Sequence, residues 1–315
     1  MARLTRLTAI AMPPVEPGPD WIERTRDRMA ALLETAAQAR PDLVTFPEVC
    51  NVTGLPVEQW ADMAETIPGP TADRMAELAA RHRTYLCVPL LERQGDHLRN
   101  TVAFYDRAGQ LLGKYHKVYP TILEMELGVL PGTEAPAFET DFGRLGAAVC
   151  FDLNYPEVGQ MLADSGARVV VWPSQYMGGA RLQQWVRDYG FYLIACDLNR
   201  STIVDMAGGV LATTGQEDEQ VRWGHLPPIV SAVVNTDRVL FHLAENQDKF
   251  PQMLAKYGPG LEIESHYPEA HCTIASLRDD VTMEHIIAEF QLEPWVDYLA
   301  RARRVRREAT EGGRA

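Results

Sequence analysis

The chain has 315 residues, of which 46% are hydrophobic and 23% charged, and its formal net charge is −13 at pH 7. This length and composition predict a soluble globular protein with a large core, in one domain or two. The negative charge argues against a nucleic-acid partner, which needs a concentrated basic surface. No window approaches the roughly 20 apolar residues that a membrane helix requires.

The amino-terminal segment and the cysteines indicate a reducing compartment. Residues 1–14 contain a short apolar stretch that breaks at two prolines, without the long apolar region or small-residue cleavage site of a signal peptide. The five cysteines form no CxxC pair, and one would be left over in any complete disulfide scheme. We therefore expect a cytoplasmic protein.

The first half of the chain predicts strands alternating with helices and then a run of three strands. The predicted strands are 5–11, 43–46, 84–92, 100–106 and 110–115, and the predicted helices are 21–39 and 71–83. Asp106 and Gly109 suit a tight hairpin turn between the last two strands.

The same order of elements recurs from Gly143 onward. GRLGAAVCFD takes the place of the first strand, and ARVVVWPS, FYLIACDLNR and STIVDMAGGVLATTG echo the later strands of the first half. Two similar β-rich halves predict an α/β (α+β) fold, a four-layer α-β-β-α sandwich with internal pseudo-doubling. A coincidence of hydrophobic rhythm is the alternative interpretation.

The chain changes character after a closing strand predicted over 229–240. Residues 247–273 are rich in Pro, Gly and Tyr without a clear period, whereas 282–308 predict helix with one interruption at a proline. We assign residues 1–245 to the main domain and 246–315 to a C-terminal extension. We expect this extension to contact a neighbouring subunit or to cover the site rather than to form a domain.

Three residues suited to nucleophilic catalysis lie where predicted strands end. Cys150 ends the first strand of the second half, Glu48 follows the second strand of the first half, and Lys117 lies just past that half's last strand. Ligand sites in open α/β folds lie at the carboxyl ends of strands, so these residues could converge. Glu48 could take the thiol proton. Lys117 and the backbone N–H of Phe151 could stabilise negative charge on a carbonyl oxygen under attack.

Each of these residues also has a plainer interpretation when it is taken alone. Cys150 could be a buried core thiol, Glu48 a helix cap or a solvated side chain, and Lys117 an exposed loop lysine. Their joint occurrence at three strand ends favours catalysis.

The motifs around these residues resemble the nitrilase superfamily of carbon–nitrogen hydrolases. FPE at 46–48 is similar to the family's glutamate motif, KYHKVYP at 114–120 to its lysine motif, and AAVCFDLNYPE at 147–157 to its cysteine motif, in the family's order. The resemblance covers about residues 4–245. Weaker similarities to the family are found at Asn100-Thr101, at Trp172-Pro173-Ser174 and in IVDMAGGVLA.

The resemblance implies a mechanism without a metal or an organic cofactor. Cys150 would attack an amide or nitrile carbon, Glu48 would act as general base and then acid, and Lys117 would stabilise the tetrahedral intermediate. Water would then hydrolyse the resulting thioester. Many members use a second glutamate to position the lysine. Here it would be Glu124 or Glu126, and the spacing Pro-Thr-x-x-Glu favours Glu124.

The departures from the family pattern bear on the substrate. Phe151-Asp152 follows the cysteine, as in amidase and carbamoyl-hydrolase branches, where true nitrilases usually have Trp-Glu. We therefore expect hydrolysis of a linear carboxamide or N-carbamoyl compound. The nitrilase-like Pro-Thr-x-x-Glu run keeps a nitrile as the alternative substrate, and a binding relative without turnover is a further alternative.

The remaining expectations concern the pocket, metals and assembly. Phe151, Trp172 and Tyr176 are expected to bind substrate, with the core as the alternative place for the last two. His266 and His271 lie near a cysteine without a convincing fourth ligand, so no metal site is expected. Family members commonly pair across a helix-bearing face, so the resemblance implies a homodimer or a higher homo-oligomer.

Overall fold

A computed structural model describes residues 3–215, 219–222 and 224–312. The strands among them are β1 Leu4–Ile10, β2 Leu43–Thr45, β3 Tyr85–Gln94, β4 His97–Tyr105, β5 Leu111–His116, β6 Phe138–Thr140, β7 Gly143–Ala147, β8 Val169–Pro173, β9 Tyr192–Cys196, β10 Arg200–Val204, β11 Val210–Gly215, β12 Ile229–Asn235, β13 Val239–His242, β14 Leu261–His266 and β15 His271–Ser276. The α-helices are α1 Trp21–Ala37, α2 Trp60–Met63, α3 Pro70–His82, α4 Ile122–Glu126, α5 Pro156–Asp164, α6 Ala180–Tyr189, α7 Glu219–Arg222, α8 Leu243–Asn246, α9 Phe250–Tyr257, α10 Met283–Phe290 and α11 Trp295–Gly312.

Two six-stranded sheets carry the two predicted halves. Their strand orders are β12-β1-β2-β3-β4-β5 and β11-β10-β9-β8-β7-β6. In each sheet the first three strands of the half are parallel and the last two return antiparallel. Each sheet also gains one antiparallel edge strand, β12 beside β1 and β6 beside β7. The two halves therefore repeat one topology, and the predicted pseudo-doubling is confirmed.

The two sheets face each other across a shared apolar core. Leu7 of β1 and Phe104 of β4 belong to the same buried cluster as Val171 of β8 and Ile194 of β9. All four side chains are fully buried. Burial of apolar surface is the dominant favourable term in folding, so this layer holds the two halves together.

Helices cover the outer faces of both sheets. Met29 of α1 and Met75 of α3 pack in one cluster with Val44 of β2. On the other side, Leu162 of α5 and Val186 of α6 pack against the second sheet. The layers therefore run helix, sheet, sheet, helix, and the predicted four-layer sandwich is confirmed.

Local sequence signals explain where the second covering helix begins and which face it buries. Helix α3 starts with Pro70 at its first position, where the missing N–H leaves no hydrogen bond unmade. Its buried residues include Thr71, Met75 and Leu78, which recur at helical spacing and share one face. The helix ends at His82, and the next residue, Arg83, adopts the left-handed conformation with φ of 53°.

The closing strand predicted over 229–240 is wrong, because the chain turns in the middle of it. Strand β12 ends at Asn235, whose side-chain oxygen accepts the backbone N–H of Asp237 at 3.0 Å. Strand β13 then pairs with β15 in a separate three-stranded sheet, with the order β13-β15-β14. The turn therefore sends one half of the predicted strand to the sandwich and the other half to this third sheet.

The third sheet has its own apolar cluster and begins before residue 246. Phe241, Met253, Ile274 and Ile286 are buried together on one of its faces.

The stretch 247–273, for which the sequence shows no regular period, contains α9, β14 and the start of β15. The helical expectation for 282–308 is confirmed by α10 and α11. Among the described residues, no helix has the length and apolar character needed to cross a membrane.

Candidate active site

The three predicted catalytic residues follow strand ends at one edge of the sandwich. Glu48 lies three residues beyond β2, Lys117 directly follows β5, and Cys150 lies three residues beyond β7. The strand predicted to end at Cys150 ends earlier, at Ala147, and Cys150 begins a short 3-10 turn that runs to Asn154. All three side chains line one cavity of about 120 Å³.

A buried lysine lies between two buried carboxylates. Lys117 Nζ is 2.7 Å from Glu48 Oε1 and 2.8 Å from Glu124 Oε2. Burial alone would lower the pKa of Lys117, but the negative charges of the two glutamates outweigh it and raise that pKa above its usual value. The lysine is therefore held as an ammonium ion, and the group of three charges carries one net negative charge.

Asn100 is a second residue that joins the two carboxylates. Its Nδ2 donates to Glu48 Oε1 at 2.8 Å and to Glu124 Oε1 at 2.7 Å. The backbone carbonyl of Asn100 also accepts the backbone N–H of Lys117 at 2.8 Å. From the sequence, Asn100 is notable only for its resemblance to the family pattern. The predicted hairpin could have placed it at the site, because the β4–β5 pairing of Thr101 with His116 brings residue 100 next to residue 117.

Glu124 is held in place by the start of its own helix. Its Oε2 accepts the backbone N–H of Thr121 at 2.7 Å, while its own N–H donates to the Thr121 hydroxyl at 3.3 Å, which together form a capping box. Burial raises the pKa of Glu124, but the charge of Lys117 and its hydrogen bonds outweigh this and lower it. Glu126, the other candidate, has an exposed side chain.

Cys150 sits in a strained turn with a protonated thiol. Its φ of 48° lies in the left-handed region, which is uncommon for a residue other than glycine. Burial and the charge of Glu48 raise the pKa of the thiol to about 12, although Lys117 and hydrogen bonds from Ser174 and the backbone of Gln175 act in the opposite direction. A thiol in this state needs a base to take its proton during attack.

Asp152 connects the turn that carries the cysteine to the loop that carries the lysine. Its carboxylate accepts the backbone N–H of Val149 at 2.8 Å, the backbone N–H of Tyr119 at 2.8 Å and the hydroxyl of Tyr115 at 2.6 Å. The side chain is completely buried. Burial raises its pKa to about 6, against the effect of these hydrogen bonds. From the sequence, Asp152 bears only on the family branch, because no local pattern predicts its contact with Tyr115.

The cavity has a charged and polar part and an apolar part. The polar lining consists of Glu48, Lys117, Thr121, Glu124, Cys150 and Gln175. The apolar lining consists of Val57, Trp60, Leu123 and Leu127. None of these four apolar residues was singled out from the sequence, because they come from loops and short helices whose approach to the strand ends is set by the tertiary fold.

The three predicted substrate-binding residues do not line this cavity. Trp172 is fully buried, as in its alternative interpretation as a core residue, and its Nε1–H donates to the backbone oxygen of Cys150 at 3.1 Å. Tyr176 is exposed, and its hydroxyl lies 3.4 Å from the same oxygen. Phe151 is half-buried and meets Tyr155 edge-on. A role for Phe151 or Tyr176 in substrate binding stays a prediction.

Comparisons with known proteins identify the family and its relatives. A family model described as carbon–nitrogen hydrolase matches residues 6–230. The bifunctional nitrilase/nitrile hydratase NIT4B of Lupinus angustifolius is 31% identical over 169 residues, which are 48% of this chain and 48% of that protein. The match therefore spans about half the length of that curated relative. The omega-amidase NIT3 of Saccharomyces cerevisiae is 25% identical over 238 residues, 64% of this chain and 81% of that protein.

Among solved structures, an amidase from Nesterenkonia sp. AN1 in complex with butyramide superposes with a TM-score of 0.63. The aligned region covers 79% of this chain and 96% of that one, at 18% sequence identity. This likeness supports the fold.

Proposed function

The chain belongs to the carbon–nitrogen hydrolase family. From this premise we propose that it hydrolyses the C–N bond of a linear carboxamide or N-carbamoyl compound. The reaction would pass through a thioester on Cys150. The observation that carries the proposal is the ion pair of Lys117 and Glu48, 2.7 Å apart, which lines the same cavity as the Cys150 thiol. This arrangement places a nucleophile, a base and a cation around one small space.

In the first step, the sulfur of Cys150 bonds to the carbonyl carbon while the thiol proton passes to the carboxylate of Glu48. The carbonyl oxygen becomes an oxyanion. A lysine ammonium has three donors, and Lys117 uses two of them on Glu48 and Glu124, so one is left for this oxyanion. The backbone N–H of Phe151 is proposed as the second donor.

In the second step, Glu48 returns the proton to the leaving nitrogen, the C–N bond breaks, and ammonia or an amine departs from the thioester. Water then attacks the thioester carbon while Glu48 takes one of its protons. Collapse of this second intermediate releases the carboxylic acid, or a carbamic acid from an N-carbamoyl compound, and gives the proton back to the sulfur of Cys150. Atoms and charge balance, and neither a metal nor an oxidant takes part in the cycle.

A nitrile is the second candidate substrate, because nitrilases are among the relatives that match the chain. Attack on a nitrile carbon would give a thioimidate in place of the first tetrahedral intermediate. Addition of water and loss of ammonia would then lead to the same thioester.

The experiment that tests the proposal combines ammonia release with intact-mass spectrometry. Wild-type protein and Cys150→Ala are exposed briefly to pools of amides, N-carbamoyl compounds and nitriles. We expect ammonia and an acyl adduct from wild type alone, with the productive pool naming the substrate class. Ammonia release by Cys150→Ala would refute Cys150 as the nucleophile.

We also propose that the chain forms a homodimer or a higher oligomer, with the extension 246–315 in the contact. The support is helix α11, whose first turns pack on this chain through Trp295 but whose residues 302–312 are all exposed. Short helical segments without packing are marginal in water, so the exposed part of α11 favours a partner. Light scattering of the full chain tests this proposal, and a monomer at micromolar concentration would refute it.

A further inference from the structure

We infer that the site accepts a short, uncharged, apolar acyl group, and that amides or nitriles with a carboxylate or an ammonium group at the far end are poor substrates. The inference rests on the proposed function, because it takes the cavity beside Cys150 to be the substrate site. It follows from the size, the lining and the charge of that cavity.

The small volume of the cavity favours an acyl group of a few carbon atoms. Its volume is about 120 Å³. Pockets that bind drug-sized ligands are larger, on the order of 300–1,000 Å³. The reacting carbon must also lie within bonding reach of the Cys150 sulfur, so only the remaining space is free for the rest of the substrate.

The apolar lining offers no hydrogen bond to a charged tail. Val57, Leu123 and Leu127 have aliphatic side chains. The fourth member, Trp60, has an indole N–H, but that group already donates to the backbone oxygen of Leu55 at 3.2 Å. A charged tail placed against these side chains would lose part of its water without gaining a partner, which is unfavourable for either sign of charge.

The charges of the site add a second penalty for a carboxylate. Within the described part of the chain, Lys117 is the one cationic side chain that lines the cavity, and it is already paired with Glu48 and Glu124. Two carboxylates and one ammonium leave one net negative charge next to the substrate. The other polar lining residues, Thr121 and Gln175, are neutral. An anionic tail is therefore repelled, and it finds no free cation among the described residues that line the cavity.

The first test compares amides of nearly equal shape that differ in charge. Butyramide ends in a methyl group, β-alaninamide in an ammonium group and succinamate in a carboxylate, and the three corresponding nitriles form a parallel set. We expect kcat/KM for the uncharged member of the productive set to exceed both charged members by at least about tenfold, or roughly 1.4 kcal/mol. Hexanamide, which is uncharged but longer, should also react more slowly than butyramide.

Binding to Cys150→Ala separates this inference from the proposed function. Calorimetric titration of that variant measures the preference for the acyl group without turnover. Tighter binding of butyramide than of succinamate and β-alaninamide would support the inference even if wild type released no ammonia, which would refute only the proposed function. Equal or tighter binding of either charged amide would overturn the inference.

A charge-reversal variant tests the physical cause. Leu123 is about half exposed, at 52%, so Leu123→Arg places a cation at the cavity without burying it in the core. We expect the ratio of kcat/KM for succinamate to that for butyramide to rise at least about tenfold. Leu123→Gln, a polar neutral control, should leave the ratio near the wild-type value. If the two variants shift the ratio equally, charge is not the cause.

Discussion

The hydroxyl of Tyr115 donates to the carboxylate of Asp152 at 2.6 Å, and this contact joins the strand that leads to Lys117 with the turn that begins at Cys150. Both side chains are completely buried. The same carboxylate accepts the backbone N–H of Tyr119, so the lysine loop is held on both sides of Lys117. The distance between cation and nucleophile therefore depends on two residues that do not line the cavity.

We expect Tyr115→Phe to lower kcat by about 10- to 100-fold with little change in KM, because a small displacement of catalytic groups reduces rate more than binding. Loss of a buried hydrogen bond to a charged group should also lower the free energy of unfolding by about 1.5–3 kcal/mol. Steady-state kinetics and urea unfolding measure the two effects.

Tyr119→Phe is the matched control for this substitution. The hydroxyl of Tyr119 bonds to Glu157 at the surface, so its loss should leave both kcat and stability close to wild type. Equal effects of the two substitutions would show that the contact between Tyr115 and Asp152 has no special role in positioning.

The outline of the fold could be predicted from the sequence because it depends on patterns of neighbouring residues. Buried strands, amphipathic helices and their repetition from Gly143 onward all depend on short-range periodicity. Glu48, Lys117 and Cys150 could be located in the same way, because each lies at the end of its own predicted strand. What failed at residues 229–240 was a single turn, where the bond between Asn235 and Asp237 interrupts an otherwise strand-like run.

The contacts around the catalytic residues are long-range, and for this reason most of them were missed. Asn100 and Glu48 are far apart in sequence, as are Tyr115 and Asp152, and no periodicity connects the members of either pair. Trp172 lies inside β8 and is fully buried, and the local sequence pattern around an aromatic residue in a strand is the same in a core as beside a pocket. The strand Leu261–His266 did have a local signal, the alternation of apolar and polar residues in LEIESH, which was overlooked.

The raised pKa of Cys150 makes a prediction about alkylation. Because the thiol pKa is raised to about 12, the thiolate fraction is small near neutral pH and grows about tenfold with each pH unit. We expect the rate of modification of Cys150 by iodoacetamide, followed by intact mass, to rise steadily between about pH 7 and pH 9. A plateau in that range would mean that the thiolate is already formed.

Glu48→Gln should separate alkylation from hydrolysis. The charge of Glu48 raises the pKa of Cys150, so its removal lowers that pKa and increases the thiolate fraction at a given pH. Alkylation should therefore become faster in this variant, while ammonia release is lost with the general base. Slower alkylation together with lost hydrolysis would instead indicate a disrupted site.

Asn100→Asp tests the neutral bridge between the two glutamates. The substitution preserves shape but replaces the donor that bonds to Glu48 and Glu124 with an oxygen. Because it adds a third carboxyl group beside one lysine, we expect kcat to fall by at least about 100-fold, or roughly 2.7 kcal/mol. Ammonia release per folded molecule, with folding checked by circular dichroism, measures the effect.

Asn246→Asp provides a control for the general cost of this exchange at a buried site. Asn246 is completely buried, and its amide donates to the backbone oxygen of His242 at 2.9 Å, away from the catalytic cavity. This variant should lose stability but keep the kcat of its folded fraction. A comparable loss of kcat in both variants would remove the support for a role of Asn100 at the site.

Glu124 and Glu126 lie on the same short helix, but one is buried and the other is exposed, so their substitutions can be compared directly. Glu124 is buried, 2.8 Å from Lys117, whereas Glu126 is exposed. Glu124→Gln removes one of the two negative charges that raise the pKa of Lys117. It also places an amide beside the ammonium group, so Lys117 is less well positioned to stabilise the oxyanion.

We expect Glu124→Gln to lower kcat by about 100-fold, whereas Glu126→Gln should stay within about twofold of wild type. Steady-state ammonia release by both variants checks this, and an equal loss in the two would assign the effect to the helix rather than to the contact between Glu124 and Lys117.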